Sequence, residues 1–436
     1  MIKNAVWLGI DFGTSGARSI AVDAKGQTLA ECRVQTLSQT PNAWRSALVQ
    51  LFEQLPSDIC ERLTGIAICG TSSTVMLCDS KGNSKGDSKG DSKGEALLEP
   101  LMYNDDRALE VLEQVRQIAP PNHTVISATS SFAKLLWFTQ QPEFKRAEFK
   151  QAPILMHQAD WLAFLLHGRL GITDYHNALK LGYDPEILAY PDWLDSYQYR
   201  SLLPDVRTPG EAIGPILPSW CKRFGIPNRC QIHAGTTDSI AAFLASGATE
   251  IGEAVTSLGS TLVIKLLSNV RIDDARYGIY SHRLGDRWLV GGASNTGGAV
   301  LRSFFSDDDL VRLTPQLNPE YSTGLNYYPL TKPGDRFPIN DPTLEPRLSP
   351  RPEDPALFLQ GLLEGMARIE ADAYRLLQTL GAGEVHRIYT AGGGAQNAVW
   401  TQLRATAMQK PVTSAVNVEA AIGVARLIQS FNYLQP

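Results

Sequence analysis

Two aspartates, Asp11 and Asp238, each stand beside a run of small residues. Asp11 ends the apolar run VWLGID and precedes Gly13-Thr14-Ser15, and Asp238 follows Gly235-Thr236-Thr237. Glycine lets backbone N–H groups point toward one spot, and threonine and serine add hydroxyl donors, so such turns suit anions. A carboxylate beside such a turn can hold a metal ion or accept a proton. The two stretches are therefore candidates for phosphate chemistry.

Two further turns of small residues occur later in the chain. The first contains Gly259 and Ser260 between two apolar runs, and the second is Gly392-Gly393-Gly394-Ala395. Turns of glycine, serine and threonine also close ordinary hairpins, so a single one of them indicates little. Their number and order are what make the set distinctive.

Two common nucleotide-binding motifs are absent from the chain. No GxxxxGK[ST] sequence occurs, which excludes a P-loop. No GxGxxG opens a helix after the first predicted strand, because the first glycine turn leads into another strand.

The elements that must position these residues alternate between strands and helices. Residues 6–34 predict a meander of three strands, followed by a helix over 44–55 and a strand over 63–70. Helical patterns follow near 108–118, 132–141 and 158–168, and residues 230–247 read as strand, turn and helix. From about residue 250 the strand pattern restarts over 253–267 and 280–294. It is followed by a long helix over 357–381, a strand over 386–393, and helices over 395–408 and 418–429. We expect an α/β protein of two domains with a boundary near residue 250.

Composition indicates a globular protein that acts on small molecules. The 436 residues are 43% hydrophobic and 19% charged, and a net charge of -5 gives no basic excess for binding nucleic acid. No run of about 18 apolar residues predicts a membrane span, and no signal peptide is recognised. The six cysteines show no CxxC spacing, so we expect buried free thiols in a reducing cytoplasm. The seven histidines show no metal-ligand spacing and are interpreted as structural or surface residues.

The segment 80–95 is a four-residue repeat of lysine, glycine, aspartate or asparagine, and serine. It contains no apolar residue and predicts a solvated, mobile loop. A calcium-binding repeat would need a nine-residue period, which is absent.

The order of these motifs resembles the FGGY carbohydrate kinases, within the actin, hexokinase and Hsp70 superfamily. The resemblance extends through GIDFGTSGAR (9–18), MYNDDRA (102–108), KLLWFTQQPEF (134–144), DWLAFLLHGRLGITDYHNA (160–178), AGTTDSIAAFLASG (234–247), TSLGSTLV (256–263), GGASNTGG (291–298) and TAGGGAQNAVW (390–400). It implies two ribonuclease-H-like, actin-like ATPase domains with a central cleft. These would be residues 1–245 and 246–436, the last helix (about 418–430) packing back on the first domain. Within the family, the chain resembles the short plant and cyanobacterial branch of D-ribulose kinases.

The resemblance implies ATP and Mg²⁺ as cofactors and a role for each aspartate. Asp11 would hold Mg²⁺ beside the phosphates, while Gly13, Thr14 and Ser15 cradle them, with Asp11 and Thr14 also near the substrate. Asp238 would be the general base that accepts the proton of the attacking sugar hydroxyl. Asp238 also suits the N-cap of the helix that follows, and both roles can hold together.

Nucleotide contacts are implied for the later turns. Gly259 and Ser260 would meet the outer phosphates, and Gly393, Gly394, Asn397 and Trp400 would frame the adenosine. Asn397 and Trp400 are three residues apart on a predicted helix and so share a face. Trp400 could equally be a core residue.

Sugar recognition is assigned to Ser72, within Gly70-Thr71-Ser72-Ser73, where many pentulose kinases carry a bulkier pair. The expected reaction is ATP-dependent phosphorylation of D-ribulose to D-ribulose 5-phosphate. The alternatives are D-xylulose or another polyol, a non-catalytic nucleotide-binding relative, or an ATPase without a sugar substrate. The Arg-Glu pair of glycerol kinases is not visible, which disfavours glycerol. We expect a cytoplasmic monomer or small homo-oligomer without nucleic-acid or membrane partners.

Overall fold

The computed structural model describes residues 5–36, 38–80, 94–145 and 153–429. The repeat predicted as a mobile loop lies outside these residues from 81 to 93. The strands, in chain order, are β1 (Val6–Phe12), β2 (Gly16–Val22), β3 (Thr28–Gln35), β4 (Leu63–Gly70), β5 (Val75–Cys78), β6 (Ile154–His157), β7 (Ile172–Asp174), β8 (Asp205–Arg207), β9 (Ala212–Pro215), β10 (Gln231–His233), β11 (Thr236–Thr237), β12 (Glu253–Leu258), β13 (Leu262–Ser268), β14 (Tyr280–Leu284), β15 (Arg287–Ser294), β16 (Arg387–Ala391) and β17 (Val412–Ser414).

The helices account for most of the remaining regular structure. In chain order they are α1 (Pro41–Gln54), α2 (Ser57–Cys60), α3 (Leu112–Ile118), α4 (Ser131–Gln140), α5 (Pro142–Lys145), α6 (Gln158–His167), α7 (Tyr175–Ala178), α8 (Asp192–Asp195), α9 (Pro218–Phe224), α10 (Asp238–Ser246), α11 (Gly298–Arg302), α12 (Asp307–Leu313), α13 (Pro355–Thr379), α14 (Ala398–Met408) and α15 (Ala420–Gln429). Short 3₁₀ turns, among them Arg107–Val111 and Gly393–Gln396, precede α3 and α14.

The chain divides into two compact units. Met1–Ala245 with Glu419–Gln435 form the first, and Ser246–Val418 form the second. The helix α15 therefore belongs to the first unit, although it follows the second in sequence.

The sheets of the two units share a central arrangement of strands and differ in their edge strands. In the first, the order is β3-β2-β1-β4-β10-β9, and in the second it is β14-β15-β13-β12-β16-β17. Each has an antiparallel meander (β1–β2–β3, and β12–β13–β15) whose first strand pairs in parallel with a later strand, β4 or β16. This shared arrangement agrees with the predicted ribonuclease-H-like α/β fold, and the second meander begins with β12 at Glu253. The strand β17 was not predicted, since three residues give too short a pattern.

Helices cover both faces of the first sheet. Leu8, Ile10 and Phe12 face a core that includes Trp44 of α1 and Trp161 of α6. The opposite face packs on α10 and α15 through a second cluster, whose members are Ala67, Cys69, Ala241, Val424, Leu427 and Ile428. Strands buried on both faces explain the nearly continuous apolar runs in the sequence.

The helix α15 lies in backbone contact with two elements. A Cβ on Gly9 of β1 would lie 1.8 Å from the Ala421 carbonyl oxygen, and a Cβ on Gly423 would lie 1.7 Å from that of Ala241. Only glycine permits such an approach. The elements that carry Asp11 and Asp238 are therefore packed against one common helix.

A buried ion pair joins the helices and the sheet of the second unit. The guanidinium of Arg404 donates two hydrogen bonds to Glu370, at 2.6 and 2.7 Å, and a third to Thr390 at 2.7 Å. Glu370 also accepts a hydrogen bond from Thr256 at 2.5 Å. The network thereby fixes α13 and α14 against β12 and β16, the strands that lead to the two glycine turns.

All six cysteines are free thiols, and all but Cys221 are buried, as predicted. Among the described residues, no helix combines the length and the apolar character that crossing a bilayer requires.

Candidate functional site

Asp11 and Asp238 are brought to one edge of the first sheet by three parallel strands. Asp11 is in register with Cys69 of β4, and Cys69 is in register with Thr236 of β11. Asp238 follows β11 directly and begins α10. Because the carboxyl ends of adjacent parallel strands share an edge, the two carboxylates belong to one site.

The side chain of Asp11 lies in a partly buried, acidic environment. Its Oδ1 accepts a hydrogen bond from the Cys69 thiol at 3.4 Å. Burial, and after it the charge of Asp238, raises the pKa of Asp11 to about 6. A cation at this position would relieve the repulsion between the two carboxylates.

Asp238 occupies the first turn of α10, where the helix dipole favours a negative charge. Its Oδ1 accepts a hydrogen bond from the Ser239 amide at 2.6 Å. This hydrogen bond is with the adjacent residue, and Asp238 is the first helical residue rather than the N-cap that the sequence predicted.

The turn between β1 and β2 contains Gly13, Thr14 and Ser15. The Thr14 carbonyl accepts a hydrogen bond from Gln39 at 2.6 Å, and the Ser15 carbonyl accepts one from the Thr36 amide at 3.3 Å. Both residues are exposed. The turn is thus held by its carbonyl groups at the same strand end as Asp11.

Residues 71–74, here called the serine turn, follow β4 and contain Ser72. Ser73 has a φ of +61°, a left-handed conformation that costs a non-glycine residue about 1 to 3 kcal/mol. Thr71 donates to Gln158 Oε1 from its amide and its hydroxyl, at 3.3 Å each. Within the described residues, the buried Ser73 Oγ and Gln158 Nε2 have no hydrogen-bond partner. Ser72 is half-buried beside these groups.

Two residues near this edge were not assigned a role from the sequence. His176 Nδ1 lies 2.7 Å from the Thr236 hydroxyl, in β11. The amine of Lys134, on α4, donates to the carbonyl of Ser73 at 2.8 Å. Both residues lie within segments that carry the family resemblance, 134–144 and 160–178, but that signal does not identify the partner of either side chain.

The second unit holds a cavity of about 500 Å³. Five residues predicted to bind nucleotide line it: Gly259, Gly393, Gly394, Asn397 and Trp400. Ser260 is not among the lining residues, but its carbonyl accepts a hydrogen bond from the Ala299 amide at 3.1 Å in the adjacent turn. The cavity has the volume expected for a small-molecule site.

Two glycines of the turn Gly392–Ala395, Gly393 and Gly394, differ in what surrounds them. A Cβ on Gly394 would lie 2.6 Å from the Trp400 ring and 2.7 Å from Leu258 Cβ, whereas a Cβ on Gly393 would meet nothing within 4 Å. Close packing therefore requires glycine at 394, and Gly393 borders open space in the cavity.

Asn397 and Trp400 contact each other across a helix start. Asn397 is the N-cap of α14, and its Oδ1 accepts a hydrogen bond from the Trp400 amide at 2.9 Å. The predicted helix is thus divided into a 3₁₀ turn and α14, and Asn397 precedes the helix rather than sharing its face. The ring of Trp400 is buried in the core and also lines the cavity, so the two interpretations of this residue are compatible.

Other lining residues come from the segment after β15 and were not singled out from the sequence. They are Gly298, Leu301, Arg302, Asp307, Leu310, Val311, Thr314 and Pro315. Gly298 donates its amide hydrogen to the Gly259 carbonyl at 2.8 Å. The only sequence signal for this part of the cavity was the motif GGASNTGG, which ends at Gly298.

Comparison with known proteins gives consistent matches over the whole chain. Models of the N-terminal and C-terminal domains of the FGGY family of carbohydrate kinases match residues 6–245 and 254–428. A xylulose kinase of Staphylococcus epidermidis is 23% identical over 435 residues, covering 93% of this chain and 83% of its own length.

Solved structures show the same fold. The structure of a xylulose kinase from Brucella ovis superposes with a TM-score of 0.82 at 20% identity, covering 99% of this chain and 93% of that one. Plasmodium falciparum glycerol kinase with ADP gives a TM-score of 0.82 at 15% identity, covering 98% and 90%. The two-domain actin-like ATPase fold is thereby confirmed.

Proposed function

Because the chain belongs to the FGGY family of carbohydrate kinases, and is a sugar kinase that transfers phosphate to an alcohol group, we propose that it uses ATP to phosphorylate a free ketopentose. D-xylulose is the first candidate, since the similar curated proteins include xylulose kinases from several bacteria. D-ribulose, expected from the sequence, has no such support and is the second candidate. It remains one because the two serines of the serine turn can bond to a hydroxyl of either epimer.

The observation that carries the proposal is the pair of carboxylates at the ends of β1 and β11, the two strands that flank β4. Asp238 would accept the proton of the sugar hydroxyl, whose oxygen then bonds to the γ-phosphorus while the bond to the β,γ-bridging oxygen breaks. ADP leaves with the electron pair of that bond. Since phosphoryl transfer passes through a loose transition state, holding the hydroxyl in line contributes more than removing its proton.

Asp11 fits a divalent cation such as Mg²⁺. Its carboxylate offers hard oxygen ligands. Burial and, after it, repulsion by Asp238 raise its pKa, and a cation would offset both effects. When bound, the ion would supply positive charge at the phosphate oxygens. Thr14 and Ser15 would direct N–H and hydroxyl groups to the same phosphates, and Gly13, whose own N–H donates to the Gly16 carbonyl at 2.9 Å, would complete the cradle by closing the turn.

Nucleotide binding is assigned to the second unit. Gly259 and Ser260 would contact phosphate, and the cavity bordered by Gly393, Gly394, Asn397 and Trp400 would receive the adenosine. Trp400 offers a buried aromatic surface against which a base can pack.

The test is ADP release measured with D-xylulose, D-ribulose, other pentuloses, pentitols and glycerol, beside a control without sugar. We expect turnover that depends on a ketopentose and is lost in Asp238→Asn. Equal turnover without sugar would instead indicate an ATPase. No turnover with any polyol would indicate a nucleotide-binding protein without catalysis.

A further inference from the structure

Lys134 is a fully buried lysine whose amine contacts two backbone carbonyls. It lies on α4 with no exposed surface, and its Nζ donates to the carbonyl oxygens of Ser73 at 2.8 Å and Met102 at 2.6 Å. Both partners are main-chain groups rather than carboxylates.

Burial of this amine opposes its charged form. Desolvation lowers the pKa of Lys134 to about 7; Asp105 opposes this effect, and Lys180 and Arg107 add to it. A methionine would fill a similar volume without this cost, but it would leave the carbonyls of Ser73 and Met102 without this donor. What the lysine contributes here is therefore its two hydrogen bonds rather than the volume of its side chain.

The two carbonyls belong to segments that meet at the candidate sugar site. Ser73 is the left-handed residue of the serine turn, and Met102 begins the segment 102–107. These segments also meet where the Tyr103 amide donates to Thr74 Oγ1 at 3.0 Å. Arg107, at the end of that segment, lies over the ring of Trp137 on α4, 5.2 Å from its centroid.

We propose that Lys134 is a positioning residue for sugar binding, which joins the serine turn to residues 102–107 and holds the hydroxyls of Ser72 and Ser73 in place. This inference rests on the proposed function of the serine turn. Lys134 does not touch the sugar in this scheme. It acts through the Ser73 carbonyl, one peptide group from the side chains that do.

The experiment compares Lys134→Met with Leu135→Ala. Leu135 is the next residue on α4 and is buried in the same core, so its truncation reports the effect of lost stability alone. In Lys134→Met we expect the KM for the ketopentose to rise about 10- to 100-fold, with the KM for ATP within about twofold of the parent. In Leu135→Ala both KM values should stay within about twofold.

Lys134→Gln provides a second variant if the methionine does not fold. Its amide retains N–H donors on a shorter side chain, so its KM for the sugar should lie between those of the parent and Lys134→Met. Either variant with an unchanged sugar KM would overturn the inference, as would an equal rise in the KM for ATP or in Leu135→Ala. An inactive parent enzyme would overturn the proposed function and this inference together, whereas an active parent with unaffected variants overturns only the inference.

Discussion

Asp11 and Asp238 lie at the ends of two strands that flank β4 in one sheet, and burial together with the charge of Asp238 raises the pKa of Asp11 to about 6. The two aspartates are 227 positions apart in the sequence, and the sheet brings them to one edge. This relationship makes each carboxylate separately testable, since one is proposed to hold a cation and the other to accept a proton.

Replacing Asp238 by asparagine should remove the general base and preserve the shape of the turn. We expect kcat to fall by about 10²- to 10⁴-fold, while the KM for ATP changes little. Steady-state kinetics with D-xylulose and with D-ribulose measure both quantities. Ser239→Ala, which changes the next side chain, is the control, and a kcat for Asp238→Asn close to that of the parent would exclude the assigned role.

Replacing Asp11 by asparagine should stabilise the protein at high pH in the absence of metal. The pKa of Asp11 is about 6 in the folded protein, and its ordinary value, which applies to the unfolded chain, is 3.8. As pH rises, the unfolded chain therefore loses this proton at a lower pH than the folded protein does. Stability therefore falls as pH rises between these values, by up to about 3 kcal/mol. Asp11→Asn should remove this loss and gain about 1 to 3 kcal/mol at pH 8.

Denaturant unfolding in EDTA at pH 4.5 and pH 8 measures this difference. The gain of the variant should shrink toward the lower pH, where Asp11 in the folded parent is protonated. An asparagine variant that is less stable than the parent at pH 8 would contradict the predicted electrostatics.

Alanine at Gly393 and at Gly394 should separate nucleotide binding from folding. Because a Cβ at 393 meets no atom within 4 Å, Gly393→Ala should keep its stability while the added methyl group occupies space in the cavity. We expect its KM for ATP to rise about 5- to 30-fold, or about 1 to 2 kcal/mol.

Gly394→Ala should instead lose stability by about 1 to 3 kcal/mol, since its Cβ overlaps the Trp400 ring and Leu258. Thermal unfolding and nucleotide kinetics on both variants test the contrast. If the two variants have the same thermal stability and the same KM for ATP, the surroundings of Gly393 and Gly394 differ from those described.

Removing one partner of the buried Arg404–Glu370 pair should destabilise the second unit strongly. Arg404→Met leaves the carboxylate of Glu370 buried without its guanidinium, at a cost of about 3 to 5 kcal/mol. The double variant Arg404→Met with Glu370→Leu removes both charges and should recover much of this loss. Urea denaturation of the single and double variants measures these free energies of unfolding. If the double variant loses as much stability as the two single variants together, a buried unpaired charge is not the cause.

The sequence was sufficient where the signal is local. The meander around Asp11, the strand ending at Gly70 and the turn before α14 each combine an apolar run with a glycine turn, and all lie where predicted. The repeat of this pattern after residue 250 was enough to predict the two-domain fold.

Contacts between distant segments could not be read in this way. Nothing near Lys134 in the sequence indicates the Ser73 carbonyl, 61 residues away, and nothing near Arg404 indicates Glu370. The prediction of D-ribulose as the substrate has no support, because substrate choice also depends on contacts between distant segments. Epimers differ by the direction of one hydroxyl, and the groups that distinguish them are placed by such long-range contacts rather than by a local motif.

The position of α15 has a consequence for how the protein is made. Every strand of the first sheet is synthesised before residue 245, whereas the helix that supports β1 at Gly9 and α10 at Ala241 is synthesised only after the second unit. Ala67, Cys69 and Ala241 then lack the apolar surface of Val424, Leu427 and Ile428 until synthesis reaches the final helix. Premature termination after residue 418 would therefore damage the unit encoded first, and with it the placement of both aspartates.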